Sequence, residues 1–147
     1  MPRVVVIAEK PSVGKELAKV LGCRERGDGF VSNDKYIVTW AVGHLVALSM
    51  PNEIDAKYQK WDKKDLPILP ESIPLKVITA SRKQYEVVKK LMNDKDTASL
   101  ICATDAGREG ELIFRYIYIM AKCKKSFQRL WISSLTEQAI RDGFRDL

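Results

Sequence analysis

Residues 3–8, RVVVIA, constrain this chain more than any other stretch. A half-exposed strand alternates apolar and polar positions, whereas this run is continuous and rich in β-branched residues. It reads as a strand buried on both faces, as in a parallel sheet with helices on either side. Residues 99–104, SLICAT, have the same character. Three further runs, 36–42 (YIVTWAV), 75–79 (LKVIT) and 127–132 (FQRLWI), also read as strands.

Helical patterns lie between these runs. Ser12 is the expected N-cap of a first helix, with Val13, Leu17, Val20 and Leu21 on one face and Gly22 as its stop. Ser81 opens a second helix running to about Asn93, with Tyr85, Val88, Leu91 and Met92 on its apolar side. A third starts near Gly107 and turns Leu112, Ile113, Tyr116, Ile117 and Met120 inward. Lys122, Lys124 and Lys125 suit its C-terminal end. Ser134 and Glu137 predict a capping box for a last helix carrying Ala139, Ile140 and Phe144. Strands alternating with helices predict an α/β fold with a mainly parallel central sheet and helices on both faces. Trp40 and Trp131 fall in strand patterns and are expected in the core. Residues 50–74 carry four of the six prolines and read as a long surface loop.

The 147 residues suit one domain. The chain stops at Leu147 inside a helical pattern, which suggests a piece of a longer protein. No apolar run reaches the roughly 18 residues of a membrane span, and MPRVVVIAEK is not a secretory leader. Cys23, Cys102 and Cys123 are odd in number and unclustered, which fits a reducing cytoplasm. The net charge of +6 favours a polyanionic partner.

Functional groups in an open parallel sheet gather at the carboxyl ends of its strands. Two such ends carry charge: Glu9-Lys10 after the first strand, and ATDAGREGE (103–111) after SLIC. Gly14-Lys15 hints at a phosphate-binding loop, but Glu9 stands where its first glycine belongs and Glu16 where its Ser/Thr belongs. That loop is excluded, and Gly14-Lys15 is read as an ordinary first turn of a helix. If the two strands are neighbours, Glu9 and Asp105 converge, with Glu109 and Glu111 entering from the next helix. Clustered carboxylates suit Mg²⁺ with open water positions. The same residues equally suit a structural role, with Asp105 as a cap and the glutamates complementing the helix dipole. Arg108 beside them serves a phosphate or neutralises the cluster.

Five blocks in order, IAEKPS (7–12), TWAVGHL (39–45), YQKWDKKDLPILP (58–70), ATDAGREGE (103–111) and RLWISSLT (129–136), resemble the N-terminal Toprim domain of the type IA DNA topoisomerases, most closely those of the bacterial topoisomerase III group. The likeness covers nearly the whole chain. It implies a Toprim fold and a role in cleaving, passing and rejoining single DNA strands through a tyrosine in a later domain. It implies that Glu9 is the acidic residue after the first strand, an acid–base group and a Mg²⁺ ligand, and that Lys10 meets the scissile phosphate. The Asp-x-Asp motif falls on Asp105 and Gly107, so one carboxylate is missing, and Glu109 or water would complete the metal shell. Arg108 joins Lys10 as a catalytic and DNA-binding group. Trp61, among Lys57, Lys60, Lys63 and Lys64, either stacks on a base of single-stranded DNA or pins the loop to the core. His44 is expected to be packed or hydrogen-bonded. Expected partners are DNA and the later domains, with no membrane. Two other readings use the same residues: a Toprim nuclease or primase-type module, and a DNA-binding module without catalysis.

Overall fold

The computed structural model describes residues 2–147. Its centre is β1 (Arg3–Ala8), paired in parallel with β4 (Tyr36–Trp40) on one side and β7 (Thr97–Ala103) on the other. β8 (Phe127–Arg129) extends the parallel part beyond β7. Beyond β4 run β3 (Phe30–Ser32) and β2 (Glu25–Gly27), both antiparallel, giving the order β2-β3-β4-β1-β7-β8.

The apolar run of β1 is continuous because each face meets its own helices. Val5 and Ile7 pack with Tyr85, Val88 and Met92 of α3 (Arg82–Asn93) and with Ile113, Phe114 and Ile117 of α4 (Arg108–Met120). Val6 and Ala8 pack with Leu17 and Ala18 of α1 (Pro11–Val20) and with Ile140 of α5 (Glu137–Arg145). The alternation of a strand thus splits one run between two cores. The expected α/β fold with both faces covered is the one observed.

Several local expectations are corrected. α1 begins at Pro11, with Lys10 as its extended N-cap and no side-chain cap, so Ser12 lies inside the first turn. Proline sets φ for a first helical position and lacks the N–H that would need a partner there. α5 is capped by Thr136, whose Oγ1 accepts from the Ala139 N–H at 3.3 Å; Ser134 accepts instead from the Thr136 N–H. Glu137, now the first helical residue, pairs with Arg141 at 2.7 Å. On α4 the inward face carries Phe114, whereas Leu112 is 39% exposed. β4 ends at Trp40 and β8 at Arg129, short of the expected 42 and 132. Trp131 therefore lies beyond the sheet and is 72% exposed rather than in the core, while Trp40 is half-buried against Gly14.

The β2–β3 hairpin was not anticipated. Its strands are three residues long, and every residue of β2 is exposed, so no apolar run marks it. The two-residue Asp28-Gly29 link is its signature, with Gly29 at φ +81°. The Gln84 amide of α3 donates to the carbonyls of Gly29 (3.1 Å) and Trp40 (2.7 Å) and so ties the hairpin to β4.

The strand at 75–79 lies outside the main sheet. β5 (Val46–Leu48) and β6 (Leu75–Val77) form a separate antiparallel ribbon. Between them residues 50–74 form a surface excursion with no buried residue. It contains the four-residue helix α2 (Pro51–Ile54) and two single 3₁₀ turns. Lys76 of β6 pairs with Glu53 of α2 at 2.6 Å.

The orientation of α4 has a measurable consequence. Phe114→Ala is expected to destabilise the chain by about 3–5 kcal/mol, through lost burial and the cavity left behind. Leu112→Ala is expected to change stability by less than about 1 kcal/mol. Denaturant unfolding of both variants separates this orientation from one that buries Leu112.

Candidate functional site

Because β1 and β7 are parallel neighbours with Ala8 opposite Ala103, their carboxyl ends open on one edge of the sheet. Glu9 leaves β1 there, and Thr104 and Asp105 leave β7. The Glu9 carboxylate accepts a hydrogen bond from the Asp105 backbone N–H at 3.1 Å, across 96 residues of sequence. Glu9 is only 9% exposed, and among the described residues this N–H is the sole hydrogen-bond donor to its carboxylate. A nearly buried carboxylate with one donor and no cationic partner calls for positive charge. Glu9 with the exposed Asp105 supplies hard oxygen donors of the kind that suit a divalent cation retaining water. A metal therefore fits these two residues.

The turn after Asp105 is shaped by two glycines. The Gly107 N–H donates to the Asp105 carbonyl at 2.8 Å, and Gly107 is the extended N-cap of α4. A Cβ on Gly107 would meet nothing within 4 Å, so the side of the site that lacks the second aspartate is open. Gly110 is the opposite case. A Cβ there would lie 2.1 Å from the Asp105 carbonyl oxygen, so only glycine lets the first turn of α4 tuck under Asp105.

The other predicted residues are distributed around this pair. Lys10 and Arg108 begin α1 and α4, are exposed, and take part in no ion pair among the described residues. Glu109 is turned away: its Oε1 lies 3.2 Å from His44 Nε2, on the loop that follows β4. Among the described residues no three His, Cys, Asp or Glu side chains gather closely enough to hold a metal ion, so Glu109 does not join Glu9 and Asp105. His44 is hydrogen-bonded, as one of its two expected states. Trp61 is 80% exposed on the excursion, which overturns the reading that it pins the loop to the core. Lys57 and Lys64 beside it pair with Asp55 and Asp62 at 3.7 and 3.2 Å.

Sequence reasoning missed Arg129. Its guanidinium donates to the Thr104 carbonyl, to Thr104 Oγ1 at 3.2 Å and to the Glu111 carboxylate. Glu111 also accepts from Arg115 at 2.8 Å. This network joins the ends of β7 and β8 to the first turn of α4. An arginine within the otherwise apolar FQRLWI was the available signal, since a charge in a strand needs a partner.

The Arg129 guanidinium first, and then that of Arg115, hold the Glu111 carboxyl below the usual carboxylate range. A carboxyl whose pKa falls on folding adds stability above its unfolded value, about 4.3 for Glu, and loses it as pH drops through the folded value. Glu111→Gln is expected to lower Tm by about 2–4 °C at pH 7, a modest figure for a partly screened pair. It is also expected to make the loss of Tm below about pH 4.3 shallower. Melting curves at stepped pH check both.

The family model described as the Toprim domain matches residues 4–135. DNA topoisomerase 3 of Bacillus licheniformis is 52% identical over 147 residues, all of this chain and 20% of that protein. DNA topoisomerase 3 of Bacillus subtilis is 50% identical over the same span. The chain thus spans about a fifth of the length of these relatives. Full-length topoisomerase I from Thermotoga maritima superimposes with a TM-score of 0.60 over 96% of this chain and 20% of that one. At 19% identity that likeness concerns the fold. The match to nearly the whole chain, on the expected α/β architecture, means that this chain belongs to the Toprim domain family.

Proposed function

We propose that the chain is the cation- and phosphate-handling domain of a type IA DNA topoisomerase of the topoisomerase III kind. In this reading the whole enzyme cleaves one DNA strand with a tyrosine from a later domain, passes another strand and reseals the first. The observation that carries it is the hydrogen bond from the Asp105 N–H to Glu9, which joins the two acidic motifs at one sheet edge. The identity of 50–52% to proteins named DNA topoisomerase 3 supports it.

Glu9 and Asp105 would hold Mg²⁺, with water in the place left by Gly107. When bound, the ion supplies positive charge to phosphate oxygens and offsets the charge that develops on them. Glu9 has one oxygen committed to the Asp105 N–H, and its other oxygen is available to hold or move a proton at the reacting oxygen. Lys10 and Arg108, at the starts of α1 and α4 and in no ion pair among the described residues, would bind the scissile phosphate. Trp61 offers an exposed ring for stacking on an unpaired base.

The five tyrosines have other attachments. Tyr85 is buried, Tyr36 packs edge-on to Phe144 at 5.9 Å, and Tyr118 donates to the Lys125 carbonyl at 2.9 Å. Tyr116 lies against the core and Tyr58 on the excursion. The nucleophile is accordingly assigned to a segment outside residues 1–147. Three buried free cysteines fit a reducing cytoplasm, which we take as the working location. Among the described residues no helix is long and apolar enough to cross a membrane.

In the full-length enzyme, Glu9→Gln and Asp105→Asn are each expected to slow Mg²⁺-dependent relaxation of supercoiled plasmid by about 100-fold or more. Wild-type rates in both variants would sink the assignment. The 147-residue chain itself is expected not to relax plasmid, and relaxation by it would refute the tyrosine assignment. NMR titration of this chain with Mg²⁺ should shift the amides of residues 8–10 and 104–107. Gly107→Asp, placed in open space, should tighten that binding roughly tenfold by adding a carboxylate ligand.

A further inference from the structure

A concavity of about 740 Å³ lies between α1 and the β2–β3 hairpin. Lys15 and Lys19, one helical turn apart on α1, stand on one wall. Arg24 and Arg26 stand on the hairpin side, and Trp40 supplies aromatic surface. Among the described residues no acidic side chain lines it. Among the described residues none of these four cations takes part in an ion pair, although nine pairs of Lys or Arg with Asp or Glu form elsewhere.

The Trp40 ring is seated by a glycine: a Cβ on Gly14 would lie 2.7 Å from it. Trp40 stands opposite Ala8 in the β1–β4 register, one residue before Glu9. The groove thus starts next to the strand end that carries Glu9 and leads along α1 to the hairpin.

Four like charges held around one concavity repel one another, and a ligand with several spaced negative charges relieves this. The aromatic ring narrows the choice. A duplex keeps its bases stacked inside, whereas a single strand presents phosphates to cations and base faces to rings. The surface around Trp61 is a weaker counterpart, because acidic neighbours already offset two of its lysines.

We propose that this groove is a second binding site for single-stranded nucleic acid. Phosphates are met by Lys15, Lys19, Arg24 and Arg26, and a base lies against Trp40. It rests on the reading of Glu9 and Asp105 as the phosphate-handling pair, and it gives the strand its path away from them.

The test uses the 147-residue chain and a fluorescein-labelled oligo(dT) 12-mer, read by anisotropy across a range of salt. One variant carries Lys15→Gln, Lys19→Gln, Arg24→Gln and Arg26→Gln. A control loses the same charge through Lys89→Gln, Lys90→Gln, Lys95→Gln and Lys124→Gln. Circular dichroism and melting first establish that both fold as the parent does. The groove variant should lose at least about tenfold in affinity, and its slope of log K against log salt should flatten by about 3, as four lost phosphate contacts require. The control should change less than about threefold. Equal losses in the two variants would reduce the effect to net charge and overturn the proposal. A larger loss for a duplex 12-mer or for poly-glutamate than for oligo(dT) would overturn it in favour of those polyanions. In a Trp61→Phe, Trp131→Phe background, oligo(dT) should quench Trp40 emission; unchanged emission at saturation also counts against the site. If the groove binds while full-length Glu9→Gln and Asp105→Asn still relax plasmid, the catalytic reading fails and the groove stands. The reverse pattern removes the groove alone.

Discussion

Parallel pairing of β1 with β7 is the constraint on which the rest of the molecule depends. It places residues 3–8 and 97–103 side by side, so that both chains leave the sheet at the same edge. A parallel pair demands a crossover between its strands, and everything from Glu9 to Asp96 is that crossover in the broad sense. It also demands cover on both faces, which α1 and α5 supply on one side and α3 and α4 on the other. The contact between Glu9 and Asp105 follows from this pairing, since residues this far apart in sequence meet only where the sheet brings their strands together.

The surroundings then separate the charges by function. Arg129 and Arg115 satisfy Glu111, and His44 engages Glu109. Among the described residues Glu9 and Asp105 have no basic partner, and Lys10 and Arg108 have no acidic one. A site that had closed its own ion pairs would have little left for an ionic ligand. Here pairing is completed one helical turn away from the carboxylates that face the opening. Close backbone approach, through Gly110 beneath Asp105, holds that division in place.

Much of this was legible before any coordinates. Strand runs such as RVVVIA announced themselves because burial on two sides leaves no room for polar positions. The acidic strand ends followed from a general property of parallel sheets, and the order of five motifs pointed to the fold. What stayed hidden were features set by distant parts of the chain. The β2–β3 hairpin is exposed and charged, so its sequence carries only a turn dipeptide. Trp131 looked like a core residue because the apolar pattern of FQRLWI runs on past Arg129, the last residue paired with β7. The partners of His44 and Arg129 lie on other elements, and no local periodicity specifies them. Ser12 and Ser134 were both good caps by type. Pro11 in one case and Thr136 in the other determined where the helix starts.

The β5–β6 ribbon separates residues 49–74 from the folding of the main sheet. Its three-residue strands clamp the base of the excursion, and no residue beyond the clamp is needed for either core. Closing a longer loop costs little more than closing a shorter one, because the entropy grows only with the logarithm of length. The two cores therefore place no demand on the length of the excursion, and a segment that protrudes this far can be altered without disturbing the carboxylate edge.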